Sequence, residues 1–180
     1  MGDNRPSRLE ATVQPGELWL IDQPSGTELC QFDREALSSA DIVIYDRPLA
    51  ALVAQVLSLG GYAEPLSCDD TARLTVSPRA LRFAREGWRV VQLFEARRGD
   101  NQRLHDAAEA FTQLAVDDLP LLAIAKRAAD GHLRWHGSLH DLPELIGKLA
   151  ADDPLTVIFG PLAVGYSAPV HAFVGNGLAG

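Results

Sequence analysis

The sequence has little cysteine, no long apolar run and no excess of positive charge, and each of these absences argues against a class of protein. Its two cysteines, Cys30 and Cys68, stand far apart and form no metal-binding motif. We expect both to be buried thiols of a cytoplasmic protein. No apolar run approaches the length of a membrane span. The first ten residues carry charges and no apolar stretch, so we also expect no signal peptide.

The charge balance is acidic. The 24 acidic and 16 basic side chains give a formal net charge of −8 and a pI near 5.0. This argues against nucleic acid or an anionic membrane surface as the main partner. Hydrophobic residues make up 47% of the 180 residues, which is enough for a proper core.

Short apolar segments alternate with segments of helical periodicity. Ser77 and Ser138 are predicted helix N-caps, Pro78 occupies a first helical position, and Gly87 ends its helix. Strands are predicted over 17–22, 41–46, 88–94, 119–128, 131–137 and 153–160, with a brief edge-like segment at 62–67, and helices over 33–40, 49–60, 77–87, 101–115 and 138–151. This alternation predicts an α/β fold with a mainly parallel sheet and flanking helices.

One predicted strand is followed directly by two charged residues. In ADIVIYDRPLAAL (40–52), the apolar run stops at Asp46, followed directly by Arg47 and Pro48. Open α/β sheets bind ligands at the carboxyl ends of their strands, so Asp46 is a candidate functional residue. The alternative is a strand-terminating turn with a solvated aspartate.

Three segments resemble, in the same order, parts of the tetrapyrrole (corrin/porphyrin) methylases, and within them the uroporphyrinogen-III C-methyltransferases. They are GELWLIDQPSGTELCQFDREALSSADIVIYDRPL (16–49), ALRFAREGWRVVQLF (80–94) and GHLRWHGSLHDLPELIGKLAADDPLTVIFGPLAVG (131–165). The resemblance implies a homodimeric, two-domain enzyme of porphyrin biosynthesis. It would bind S-adenosylmethionine and an anionic tetrapyrrole in the cleft between its domains. Asp46 matches the family's Tyr-Asp and is the candidate catalytic residue.

The resemblance also implies a division of the chain. We expect a disordered tail over 1–15, an N-terminal methylase-like α/β domain over 16–115, a remnant of the C-terminal methylase domain over 116–165, and a Gly/Ala-rich tail over 166–180. The second domain is shortened relative to the family. Since positioning is the main catalytic contribution of such a cleft, an incomplete second wall weakens it.

Both cofactor loops of the family are degenerate here. The family's Gly-Gly-Asp-Pro corresponds to Glu95, Ala96, Arg97 and Arg98, and its N-terminal glycine-rich loop corresponds to Asp22 through Thr27. Glycine lets the main chain approach a ligand without an intervening Cβ. The candidate cofactor-binding positions are Asp22, Pro24, Gly26, Glu95, Ala96, Arg97 and Arg98.

The degenerate loops favour a protein without normal catalysis, acting as a binding or assembly partner and requiring no cofactor. The alternative is an active or weakly active tetrapyrrole methyltransferase that binds S-adenosylmethionine.

Other clusters allow further hypotheses. A group of arginines near the carboxyl edge would suit an anionic ligand, or would form a solvated face; its members are Arg73, Arg79, Arg82, Arg97, Arg98 and Arg103. His132, His136 and His140 have metal-site spacing if they lie on one helix, but Gly131 and Gly137 favour a strand and no metal. Ser25-Gly26-Thr27 is a weak match to a phosphate loop.

Overall fold

The computed structural model describes residues 12–24, 26–66, 76–96, 120–127, 131–138 and 155–160. Its helices are α1 (Gln31–Ser39), α2 (Ala50–Val56) and α3 (Pro78–Arg85), with a single 3-10 turn at Arg47–Leu49. The strands are β1 (Leu18–Pro24), β2 (Ile42–Tyr45), β3 (Tyr62–Pro65), β4 (Val90–Ala96), β5 (Pro120–Arg127), β6 (Gly131–Ser138) and β7 (Leu155–Phe159).

The strands of the described ranges form one sheet in the order β3-β2-β4-β1-β7-β5-β6. The first four are mutually parallel, whereas β7, β5 and β6 join by antiparallel pairing. The predicted α/β class and the parallel neighbours β1, β4 and β2 are confirmed. The sheet as a whole is mixed rather than mainly parallel. Only three residues separate β5 from β6, and so short a connection allows a hairpin but no parallel crossover.

The sheet carries helices on both faces. Trp19, Val43 and Val91 point to one face, where they form a core with residues of α1 and α2. Side chains of alternate strand residues point to opposite faces, so Gln92 lies on the other face, where its side chain contacts Ser77 at the start of α3. Burial on both faces accounts for the continuous apolar runs of β1, β2 and β4.

The core beside α1 is anchored by an aromatic pair. The rings of Trp19 and Phe32 stack with centroids 5.7 Å apart and planes 25° apart. The indole N–H of Trp19 donates to Glu17 Oε2 at 2.9 Å, which satisfies its only polar group within the buried environment.

The N-caps of two helices differ from their predictions. Helix α1 begins two residues early because Cys30 is its N-cap, with Sγ accepting from the Asp33 N–H at 3.4 Å. Cys30 is therefore half-buried rather than buried, and Cys68 lies outside the described residues. Pro78 begins α3 as predicted, but the Ser77 side chain makes no capping hydrogen bond.

Two helix ends are equally informative. The helix predicted over 49–60 begins as the 3-10 turn and α2 ends at Val56, well before Gly60. Gly87 ends α3 as predicted and has φ +96°, which favours glycine. Ser138, a predicted helix cap, is the last residue of β6.

Several predictions fall outside the described ranges. They include the helices over 101–115 and 139–151 and both predicted terminal tails apart from residues 12–15. The division into two domains stays a prediction, although β5, β6 and β7 continue the sheet of β1. No helix of the described ranges is long and apolar enough to cross a membrane.

Candidate functional site

Three sequence-distant segments meet at the carboxyl ends of the parallel strands. Strand β1 pairs with β4 so that Asp22 faces Phe94, Gln23 faces Glu95, and Pro24 faces Ala96. Strand β2 pairs with β4 on its other side, and Asp46 follows its last residue. We call this region, formed by Asp22–Pro24, Asp46 and Glu95–Ala96, the carboxyl edge.

Asp46 is buried at this edge, with 5% of its surface exposed. Its Oδ2 accepts from the backbone N–H of Glu95 at 2.8 Å, and its own N–H donates to the Leu93 carbonyl at 3.0 Å. Its carbonyl accepts from the Leu49 N–H at 2.9 Å and begins the 3-10 turn. The alternative of a solvated turn aspartate is therefore wrong, and a catalytic role for Asp46 stays a prediction.

The positions expected to form cofactor loops are strand residues. Asp22 and Pro24 lie in β1, and Glu95 and Ala96 lie in β4, with the parallel ladder continuing through the last pair. Asp22 lies in the strand predicted for it, whereas Pro24, Glu95 and Ala96, which were expected in loops, continue their strands. A role of these positions in binding a cofactor stays a prediction. Arg97 and Arg98 lie outside the described residues.

A buried glutamine organises the segment that follows β1. Gln23 is 2% exposed, and its Nε2 donates to the Thr27 carbonyl at 2.9 Å and to the Thr27 hydroxyl at 3.0 Å. Gly26 has φ +72°, which turns the chain towards α1. No pattern in the sequence signalled this role for Gln23. The phosphate-loop hypothesis stays a prediction, although at the start of α1 the Asp33 N–H already donates to Cys30 Sγ.

The charge at the carboxyl edge is acidic in its described part. Asp22, at the end of β1, is 7% exposed, and Asp46, after β2, is 5% exposed. Strand β4 runs between them and ends in the half-buried Glu95. Acidic groups at one strand edge disfavour a carboxylate and favour a cationic group of a ligand.

The two described arginines of the predicted cluster already pair with carboxylates. Arg79 donates to Glu64 at 2.6 Å from Nε and at 2.9 Å from Nη2, and its guanidinium lies 5.6 Å from the centre of the Phe83 ring. This hydrogen bond and the Glu64 charge raise the pKa of Arg79. Arg82 pairs with Glu86 at 3.0 Å. The other members of the cluster, Arg73, Arg97, Arg98 and Arg103, lie outside the described ranges.

The histidine hypothesis required a helix, and the structure has a strand. His132 and His136 lie in β6, and His140 lies outside the described residues. No group of three or more histidine, cysteine or acidic residues that could hold a metal ion occurs within the described part of the chain.

Sequence reasoning missed Gln92, the one polar residue in the run VVQLF. It is fully buried, and its Oε1 accepts from the Ser77 N–H at 3.0 Å. Its Nε2 is buried and has no hydrogen-bond partner within the ranges that the structure describes. A lone polar residue inside an apolar strand was the available signal.

The sheet order and the carboxyl edge define an α/β protein with a mixed sheet. No protein-family model and no curated protein matches the chain. Among solved structures, it is similar to uroporphyrin-III-C-methyltransferase from Thermus thermophilus, at 15% identity and a TM-score of 0.42, over 87% of this chain and 95% of that one.

Two further solved structures are similar. A complex of the Thermus thermophilus enzyme with S-adenyl homocysteine has 17% identity and a TM-score of 0.34, over 81% of this chain and 97% of that one. The cobalamin biosynthetic enzyme cobalt precorrin-4 methyltransferase has 12% identity and a TM-score of 0.32, over 81% and 95%. These values describe a distant likeness of fold and carry no conclusion about activity.

Proposed function

We propose that this chain is a degenerate relative of the tetrapyrrole methylases that acts as a binding or assembly protein, without the ordinary use of S-adenosylmethionine. The resemblance of residues 16–49, 80–94 and 131–165 supports the family. The positions that match the family's two cofactor loops have lost most of the family's glycines, and this supports the loss of cofactor binding.

The observation that carries the proposal is the strand pairing at the carboxyl edge. Gln23 faces Glu95 and Pro24 faces Ala96 in a parallel ladder, so extended, paired backbone stands where a wrapping loop is needed. The Glu95 N–H is bonded to Asp46. A cofactor would have to break this bond and replace it, which reduces its net gain.

The charge of the edge does not by itself exclude the cofactor. The carboxylates of Asp22, Asp46 and Glu95 belong to neighbouring strand ends. They repel the carboxylate of S-adenosylmethionine but attract its ammonium and sulfonium groups, so the strand pairing, and not the charge, supports the proposal. An anionic tetrapyrrole meets the same repulsion unless basic residues of the remaining chain contact it.

An active methyltransferase is the second candidate. The meeting of three family-like segments at the edge where open α/β sheets bind ligands favours it. Gly26, at φ +72°, also retains one glycine that permits close approach. In this reading Asp46 is catalytic, and Arg97 or Arg98 attracts the cofactor carboxylate.

Isothermal titration with S-adenosylmethionine and S-adenosylhomocysteine tests the proposal. We expect no measurable binding up to about 1 mM, which corresponds to roughly −4 kcal/mol. The Thermus thermophilus enzyme, whose complex with S-adenyl homocysteine is known, is the positive control. Saturable micromolar binding that Arg97→Ala abolishes would establish the enzyme instead.

We also propose that the protein is a cytoplasmic homodimer. Exposed large apolar residues support association, since Leu59, Tyr62 and Trp88 are at least 47% exposed. Light scattering at micromolar concentration should give twice the chain mass of 19.4 kDa. A monomer mass would refute the dimer and leave the cofactor question untouched.

A further inference from the structure

A buried donor lies beside the N-terminus of α3. Gln92 is fully buried, with Oε1 accepting from the Ser77 N–H at 3.0 Å. The oxygen and nitrogen of an amide share one carbon, so Nε2 is held next to the same helix start. This nitrogen has no acceptor among the residues that the structure describes. A buried polar group in that position calls for a partner.

The first turn of α3 presents further donors. Pro78 has no N–H, and the Leu81 N–H bonds to the Ser77 carbonyl at 3.1 Å. The N–H groups of Arg79 and Ala80 lie where a helix supplies no backbone acceptor, and the Ser77 side chain does not cap them. The positive end of the helix dipole adds to these donors.

The N-terminus of α3 lies on the face of the sheet opposite α1 and α2. Helix α3 precedes β4 and packs on it, and its C-terminus leads through Gly87 into the amino end of that strand. Its N-terminus therefore lies against the middle of β4, where Gln92 meets Ser77. The opposite face of the sheet holds α1 and α2, so this position is separate from the Gln23–Thr27 contact.

We propose that the α3 N-terminus and Gln92 form a subsite for one oxygen of a small anion, a carboxylate or a phosphate. The oxygen accepts from Gln92 Nε2 and from the first-turn N–H groups. All of these groups are donors, which selects an anionic acceptor. The Arg79 guanidinium is already paired with Glu64, so the helix end supplies the attraction.

The inference rests on the proposed binding role, because it names the chemistry of a ligand bound on the α3 face of the same sheet. The two tests are separate. Calorimetry with S-adenosylmethionine addresses the cofactor, and titration with simple anions addresses this subsite. Either result can stand while the other fails.

Nitrogen-15 NMR titration of the full chain with inorganic phosphate and, separately, with malonate tests the subsite. We expect saturable shifts of the Gln92 side-chain amide and of the Ala80 backbone amide, with a dissociation constant on the order of 10 mM or below. A response to phosphate alone assigns a phosphate group, a response to malonate alone assigns a carboxylate, and a response to both assigns the shared chemistry.

Gln92→Glu keeps an oxygen for the Ser77 N–H and replaces the donor by a carboxylate, so it should weaken anion binding at least tenfold. Gln31→Glu makes the same change at the exposed start of α1 and should leave the binding unchanged. If Gln92→Glu fails to fold, the wild-type Gln92 amide remains the readout. The proposal is overturned if the Gln92 amide shows no saturable shift. It is also overturned if that amide is hydrogen-bonded to a buried water that the anions do not displace.

Discussion

Asp46 accepts a hydrogen bond through Oδ2 from the backbone N–H of Glu95, at 2.8 Å and across 49 positions of sequence. Its own N–H donates to the Leu93 carbonyl at 3.0 Å. The side chain thus extends the ladder between β2 and β4 beyond the last residue of β2. This accounts for a buried aspartate at the end of an apolar strand. It also places Asp46 where it fixes the backbone of Glu95 near the end of β4.

Replacing Asp46 should destabilise the fold. Asp46→Ala leaves the Glu95 N–H without its acceptor, so we expect the free energy of unfolding to fall by about 1–3 kcal/mol. Asp46→Asn should cost less, because an amide oxygen can accept the same bond. Urea denaturation measures both. Glu28→Ala, on an exposed carboxylate, is the control and should change stability by less than about 0.5 kcal/mol. Equal values for Asp46→Ala and Glu28→Ala would contradict this role.

Replacing glycine by alanine should lower the stability of the fold by different amounts at two positions. Gly26 has φ +72°, and apart from Gly26 and its two chain neighbours no described residue has an atom within 4 Å of the point where its Cβ would stand. Gly26→Ala should therefore cost only the backbone strain, about 1–2 kcal/mol. At Gly160, φ is +136° and a Cβ would lie 3.0 Å from both Glu17 Cα and the Gly16 carbonyl oxygen. Gly160→Ala should lower the thermal midpoint further than Gly26→Ala does. The reverse order would refute the close approach.

Gln23 should control the order of the segment before α1. Gln23→Ala removes both bonds to Thr27, at 2.9 and 3.0 Å, and we expect faster amide hydrogen exchange over residues 26–30. Gln14→Ala removes an exposed side-chain contact to the Thr12 carbonyl and serves as the control. Exchange that is equally fast in both variants would show that Gln23 does not hold the segment.

The sequence alone was sufficient to predict the elements that depend on local patterns of residues. Apolar runs identified β1, β2 and β4, and their parallel adjacency followed from the intervening helices. Pro78 and Gly87 marked the ends of α3 because each residue type has a distinct backbone preference.

The features that it could not predict depend on distant partners. The contact of Gln92 with Ser77 and that of Asp46 with Glu95 join residues far apart in sequence. The extension of β4 through Ala96 depends on pairing with β1, whereas the family resemblance implied a loop at Glu95 and Ala96. Strand β7 pairs with β1 in antiparallel orientation, and no local sequence pattern predicts which strand it joins.

The phenol of Tyr62 reports on the ion pair between half-buried Glu64 and exposed Arg79. Its hydroxyl donates to Glu64 Oε2 at 2.8 Å. That hydrogen bond first, and then the Glu64 charge, raise the pKa of Tyr62, while Arg79 acts in the opposite direction. Ionisation of the phenol removes the donated proton and sets two negative charges against each other.

The pH dependence follows from this direction. Because the pKa is higher in the folded chain, the contact stabilises the fold below the pKa of an unfolded tyrosine and loses that effect as pH rises through the folded value. Glu64→Gln should lower the pKa of Tyr62 towards its ordinary value, measured by NMR titration of its ring carbon, and Glu28→Gln is the matched control. An unchanged Tyr62 midpoint in Glu64→Gln would show that the carboxylate does not hold the phenol in solution.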